Sequence, residues 1–253
     1  MAPSDVKSTI GNPFIELAAV NSTNTYAMEQ LQANLAGHGA VYFAHNQTAG
    51  KGQHGKTWLI EPGTNITLSV ILDTVFLMVS KPFPLSAMVA VACHDFFSSY
   101  AGEETTIKWP NDIYWRDRKA GGILIENLVR AGAWAGSVAG MGINLNQVHF
   151  AEGLKNPVSL KQITGKSFDT LAMAGELCTH LENRYRQLRN GGFEALWQYY
   201  NEHLYKRGEE IRFRNGPIAF HALVKGVNRD GELELSGAPR EQYRFGEIEW
   251  ILT

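Results

Sequence analysis

A chain of 253 residues with 44% apolar and 19% charged side chains can build one large domain, alone or with a small satellite, and is too apolar to be disordered. Its formal net charge of −2 argues against a general nucleic-acid coat or a polybasic membrane binder, so any cationic chemistry has to be local. The N-terminal run M-A-P-S-D-V-K-S-T-I has no basic stretch followed by an apolar one, and no segment reaches the about 18 apolar residues of a membrane span, which predicts a cytoplasmic protein. Two cysteines, Cys93 and Cys178, fall in helix-like segments and predict reduced core thiols.

Residues 14–20 (F-I-E-L-A-A-V) read as a strand, and Ser22-Thr23-Asn24-Thr25 offers capping side chains for a helix to about residue 35. A strand at 40–44 delivers the stretch 47–58, Q-T-A-G-K-G-Q-H-G-K-T-W, and a third strand is predicted at 65–72. Residues 85–100 have a helical spacing of Met88, Val89, Ala92, Phe96 and Phe97 that buries one face. Short strands follow near 105–108, 112–115, 121–126 and 133–139, then helices at 171–188 and 193–204 whose aromatics read as packing. From Gly208 the texture is short strands with turns at Asn215-Gly216, Asp230-Gly231 and Ser236-Gly237, a small β module close to the lower size limit for independent stability. The division expected is residues 1–204 and 205–253.

The chemistry concentrates in five stretches. In 47–58, Gly50, Gly52 and Gly55 let backbone amides approach a ligand, and Lys51 and Lys56 bring mobile positive charge. Such a pattern is more often a solvated turn, and the spacing is neither a Walker loop nor a dinucleotide fingerprint. Lys108-Trp109-Pro110-Asn111-Asp112 places a cation and a carboxylate at a strand end, residue types that serve phosphate oxygens and Mg²⁺. Lys119 precedes the pair Gly121-Gly122 and an apolar strand ending in Glu126, and Gly140-Met141-Gly142-Ile143-Asn144-Leu145-Asn146 is a glycine-flanked strand end with amide side chains. Ser22-Thr23-Asn24 opens a helix. Each has a plain structural reading as a cap, a tight turn or a hairpin.

In order, S-T-N, Q-T-A-G-x-G-x-x-G-x-x-W, K-W-P-N-D, K-x-G-G-I-L-x-E and G-x-G-x-N-x-N resemble the catalytic domain of the biotin protein ligases, from Ser22 to Asn146, and the tail is similar in length and place to that family's SH3-like module. The resemblance implies an α+β fold: a mixed β-sheet with helices packed on it, like a class II synthetase, followed by a small SH3-like β-barrel. It implies an enzyme that uses ATP with Mg²⁺ to make biotinyl-5′-AMP from biotin, then transfers the biotinyl group to a lysine of a biotin carboxyl carrier protein domain. Lys119 would hold the biotin carboxylate and the α-phosphate, with Asp112 and Lys51 as its catalytic companions. Ser22, Thr23, Asn24 and Gln47 would bind biotin, with Gly50, Gly121 and Gly122 leaving space beside it. Asn111 and Asp112 would serve ATP and Mg²⁺, and Lys108 the phosphates. Asn144 would lie near the adenine, Trp58 would cover it, and the loop Gly50, Lys51, Gly52, Gln53, His54, Gly55, Lys56 would close over the adenylate.

One departure stands out. The family usually writes the loop as G-R-G-R-x-G-R, and this chain has Lys51, Gln53 and Lys56 at the arginine places, keeping charge at two and losing it at Gln53. A lipoate or octanoate enzyme would carry R-R-x-x-G-G-G, which is missing here. A DNA-binding repressor would need a helix-turn-helix module before the catalytic domain, which already begins at Phe14, so no DNA partner is expected. A binding module without catalysis is disfavoured by Lys119 and Asp112. A monomer and a homodimer both stay open, and no membrane partner is expected.

Overall fold

The structure is a computed structural model that describes residues 9–154 and 156–252, so most of the N-terminal stretch read above lies outside it. The chain runs β1 (Phe14–Leu17), α1 (Thr23–Gln32), β2 (Val41–Ala44), β3 (Ile66–Leu72), α2 (Phe83–Ala101), β4 (Thr105–Lys108), β5 (Asp112–Trp115), β6 (Arg118–Arg130) and β7 (Ala133–Ile143). Then come α3 (Leu160–Thr164), α4 (Thr170–Arg189) and α5 (Phe193–Glu202), followed by β8 (Glu210–Asn215), β9 (Ile218–Val227), β10 (Leu233–Ser236), β11 (Gln242–Tyr243) and β12 (Glu249–Ile251). Seven strands form one mixed sheet in the order β1-β2-β3-β7-β6-β5-β4, parallel at β1–β2 and antiparallel elsewhere. The last five form an antiparallel sheet, β11-β10-β9-β8-β12.

Alternation along each strand decides which side chains meet which layer. On β3, Leu68, Val70 and Leu72 join the large cluster under α2 and α4, while Ile71 joins Ala27, Leu31, Tyr42 and Val138 under α1. β3 is buried throughout, with helices on both faces. α2 buries Met88, Val89, Ala92, Phe96 and Phe97, and each large side chain so removed from water contributes about 1.5–3 kcal/mol. Cys93 and Cys178 are buried free thiols in α2 and α4, and burial pushes both up, Cys178 to about 12, which leaves them unreactive.

The boundaries differ from the sequence expectation where local backbone intervenes. The first strand stops at Leu17, and Val20 makes an isolated bridge to Gln47 that turns the chain toward Ser22. The first helix ends at Gln32 because Asn34 takes φ +56, a left-handed conformation no helix continues through. β6 and β7 run longer than expected, joined through Ala131 and Gly132, both at positive φ, as a tight hairpin requires. Helix α3 was not expected, although Ser159 and Gln162 form a reciprocal capping box visible as S-x-x-Q.

The second sheet is tied to the first by buried polar contacts. Trp109 Nε1 donates to Gly231 O at 2.9 Å, Trp197 Nε1 to Val227 O at 2.7 Å, and Asn201 brackets Val227, accepting from its N–H at 2.7 Å and donating to its C=O at 3.0 Å. One continuous apolar cluster includes Ile107 and Trp109 on one side and Phe213, Val224 and Leu233 on the other. Among the described residues no helix is long and apolar enough to cross a membrane.

Candidate active site

The cleft lies on the α1 side of the seven-stranded sheet, and its floor is made by glycine. Register places Thr67, Ser69 and Ile71 of β3 opposite Gly142, Gly140 and Val138 of β7, which in turn face Gly122, Leu124 and Glu126 of β6, so these share one face. Gly122, Gly140 and Gly142 strip that face of side chains. The Trp58 ring rests on Gly142 so closely that a Cβ there would collide with it, and a Cβ on Gly140 would collide with the Asn24 carboxamide. Gly122 has the Trp58 ring, Lys119 Nζ and Asp112 Oδ1 within 3.5 Å of where a Cβ would stand.

At one end, helix α1 starts with Ser22 as its cap, its hydroxyl 3.5 Å from Thr25 N, which buries Ser22, Thr23 and Asn24 at the cleft. Gln47 Oε1 accepts from Thr23 N at 2.8 Å and lies 3.1 Å from Thr23 Oγ1. Ser69 Oγ is 2.8 Å from Thr23 Oγ1 and 2.6 Å from Asn24 Oδ1, and Asn24 Nδ2 donates to Glu126 Oε2 at 2.9 Å and Leu124 O at 3.2 Å. Ser69 and Glu126 were not assigned from sequence. Ser69 is, with Thr67, one of two small polar residues in an otherwise apolar strand, and the only advance signal at Glu126 is that it closes the K-x-G-G-I-L-x-E stretch.

At the other end, Lys119 Nζ donates to Asp112 Oδ1 at 2.7 Å and stands 5.7 Å from the centre of the Trp58 ring. The backbone of Lys119 is held by Asn156 and Val158. Asn111 Nδ2 donates to Ile123 O at 2.6 Å and Asn111 O accepts from Ile123 N at 2.9 Å, clamping β6 behind the ion pair. The glycine loop is folded on itself: Gly52 N donates to Lys56 O at 2.6 Å and Trp58 N to Gly50 O at 2.9 Å, around a 3-10 turn at Gln53–Gly55. Gln53 Nε2 reaches Ile123 O at 3.4 Å. Gln53 Oε1 and Trp58 Nε1 are buried without a hydrogen-bond partner among the described residues, each costing about 1–3 kcal/mol unless a ligand meets it.

Of the residues singled out in the sequence, Ser22, Thr23, Asn24, Gln47, Lys51, Gly52, Gln53, Trp58, Asn111, Asp112, Lys119 and Gly122 line this cleft. Gly121 sits on the opposite face, and Gly50 fits against Trp58 O and Gln47 at the root of the loop. Gly55 and Lys56 are exposed beyond the lining, and the side chain of His54 lies outside what the structure describes. Asn144 is buried beneath the site, its Nδ2 donating to Val158 O at 3.0 Å. Lys108 stands 5.1 Å from the Tyr114 ring and 5.4 Å from the Trp250 ring, beside the second sheet.

The glycine-floored cleft thus offers hydrogen-bonding groups at one end and a lysine-carboxylate pair at the other. Residues 16–144 match the model of the Biotin/lipoate A/B protein ligase family, and the chain belongs to that family. It is 31% identical over 229 residues to the bifunctional ligase/repressor BirA of Bacillus spizizenii, covering 89% of this chain and 70% of that protein. It is 28% identical over 232 residues to the biotin--[acetyl-CoA-carboxylase] ligase of Paracoccus denitrificans, covering 89% of this chain and 95% of the relative. Among solved structures, the biotin protein ligase of Aquifex aeolicus in complex with biotin and ATP superposes with a TM-score of 0.74 at 22% identity over 95% of each chain, a likeness of fold.

Proposed function

We propose that the chain is a biotin protein ligase: with ATP it activates biotin as biotinyl-5′-AMP, then transfers the biotinyl group to a lysine of a biotin carboxyl carrier protein domain such as that of acetyl-CoA carboxylase. The observation that carries this reading is the pairing, in one cleft, of the polar end at Thr23 and Gln47 with the Lys119–Asp112 pair, in a family whose relatives are named for this activity. The family name also covers lipoate enzymes. A dithiolane ring carries no N–H or C=O, so it offers no hydrogen bond to Thr23 and Gln47 at that end of the cleft. A cyclic urea answers those groups.

In the first step a biotin carboxylate oxygen forms a bond to the α-phosphorus of ATP as the bond to the bridging oxygen breaks, and pyrophosphate departs with the electron pair. Two anions must meet, and the Lys119 ammonium is the cation placed to offset their repulsion, exchanging its bond to Asp112 for the carboxylate and α-phosphate oxygens. Lys51 on the loop and Lys108 beside the second sheet are the further cations of this account. In the second step the neutral amine of the acceptor lysine attacks the acyl carbon, AMP leaves, and an amide forms. Trp58 and the folded loop exclude water that would hydrolyse the mixed anhydride.

Among the described residues no group of three His, Cys, Asp or Glu side chains is placed to hold a metal ion. One carboxylate together with substrate phosphates is an ordinary donor set for Mg²⁺, so Asp112 fits an ion that arrives with the nucleotide. Bound there, Mg²⁺ would spread the charge of the phosphates. We also propose the division at residues 204 and 205, with the second sheet a module that supports the nucleotide end through Lys108 and Trp109. Biotin-dependent release of pyrophosphate from ATP, measured without acceptor, tests the reading; release supported by lipoate alone would contradict it.

A further inference from the structure

Lys119 reaches the cleft because its strand is irregular. Side chains alternate between the two faces of a sheet, so counting back from Gly122, on the cleft face, would place Lys119 on the opposite face with Gly121. Ile113 and Tyr114 are consecutive on β5, yet their partners on β6 are Gly121 and Lys119, which leaves Ala120 as an extra residue, a β-bulge. Past the bulge Lys119 pairs with Tyr114, which shares a face with Asp112, and the ammonium comes to Asp112 Oδ1 at 2.7 Å. A bulge takes backbone groups out of the ladder, and here Asn144 meets them. Its N–H donates to Ala120 O at 2.9 Å, and its Nδ2 donates to Val158 O at 3.0 Å and stands 3.5 Å from Lys119 O. Residues 156–158 take the place beside Lys119 that β7 leaves when it ends at Ile143. Lys119 N donates to Asn156 O at 2.7 Å and Val158 N to Lys119 O at 2.9 Å, with Arg118 Nη2 on Pro157 O at 2.6 Å. Asn144 is buried beneath the cleft rather than in its lining.

We infer that Asn144 is a positioning residue for the activation step: it pins the Ala120 bulge to the 156–158 segment, and the bulge turns Lys119 onto the cleft face. The inference deepens the ligase reading above and rests on it for the reaction that Lys119 serves. Asn144 acts through the backbone of β6, so its removal lets the bulge shift and carries the ammonium away from the place where the carboxylate and the α-phosphate meet. A direct contact with adenine, which the sequence resemblance implies, would act on nucleotide affinity and choice of base. A pinned bulge acts on rate.

The test is a double-mutant cycle in biotin-dependent pyrophosphate exchange, on the intact protein, Asn144→Ala, Lys119→Ala and the double variant. KM and kcat are measured for ATP and for inosine triphosphate, which lacks the adenine amino group. Asn144→Ala is expected to lower kcat about 10- to 100-fold and to leave the ATP KM and the preference for ATP over inosine triphosphate within about twofold. Once Lys119 is already alanine it should cost no more than about twofold further. Arg118→Ala, which releases Pro157 O, should lower kcat in the same non-additive way, and it carries the test if Asn144→Ala does not fold. An ATP KM that rises while kcat holds, or a full Asn144→Ala effect in the Lys119→Ala background, would overturn the inference and leave the ligase reading standing. If lipoate and not biotin supports exchange, the biotin reading fails, and the same cycle run with lipoate supports or overturns the inference by the same criterion.

Discussion

At the residue scale, position on the sheet decides what each polar group can do. Ser69 and Gly140 are cross-strand partners on the cleft face, yet one carries a hydroxyl into a buried chain of bonds and the other is stripped so that Asn24 can reach it. His94 shows the same logic away from the site. It is buried between α2, β4 and α5, with Nε2 3.0 Å from Thr105 O and Nδ1 3.3 Å from Tyr199 Oη, and with the His203 ring 4.4 Å away and Asp95 and Arg184 nearby. Burial, reinforced by His203, lowers its pKa from 6.5 to about 4. The unfolded chain therefore binds the extra proton between those values, and stability falls as pH drops from about 6.5 toward 4, by about 3 kcal/mol when complete. Urea unfolding at pH 7, 5.5 and 4.5 should show that decline, and it should flatten in His94→Gln. Most residues of the cleft were legible in the sequence because they sit in glycine-bearing turns and helix caps. Ser69 and Glu126 were not, since a polar residue in a strand reads as an ordinary solvent-facing position until register shows what it opposes.

At the element scale, the glycine loop and the β6–β7 hairpin together make the cleft. Strand existence was readable from apolar runs, but the length of this hairpin was not, because its turn uses Ala131 at φ +48 where a sequence reading looks for asparagine or glycine. The floor is sensitive to one methyl group. Gly142→Ala should push the Trp58 ring off the sheet and lower the rate of adenylate formation by about tenfold or more, with the fold kept, as read by pyrophosphate exchange beside a thermal melt. The loop itself tests the departure from the family's arginines. Gln53 reaches the β6 backbone through one long bond and its Oε1 has no partner among the described residues, so Gln53→Arg should hold the anionic intermediate longer. Single-turnover release of biotinyl-5′-AMP would be slower in the variant; an equal rate would remove the loop's charge from the account.

At the scale of the whole molecule, the two sheets share one apolar cluster, and the strand that ends in Lys108 lies against both. Chain order and turn composition announced a β-rich tail, but its pairing with Trp109, Trp197 and Asn201 depends on contacts far apart in sequence that no local pattern displays. A chain ending at residue 204 would expose the Trp109 and Ile107 side of that cluster. It should show a lowered, broadened thermal transition and no pyrophosphate exchange, whereas a sharp native-like transition would make the second sheet dispensable for folding.

We propose that Lys119 brings a biotin carboxylate and the α-phosphate of ATP together. Pyrophosphate release measured with ATP and Mg²⁺, without acceptor and with either biotin or lipoate, in the intact protein and in Lys119→Ala, tests it directly. Release is expected to require biotin and to fall by about 100-fold or more in the variant. Release that depends on lipoate, or biotin-dependent release that survives the loss of Lys119, would contradict it.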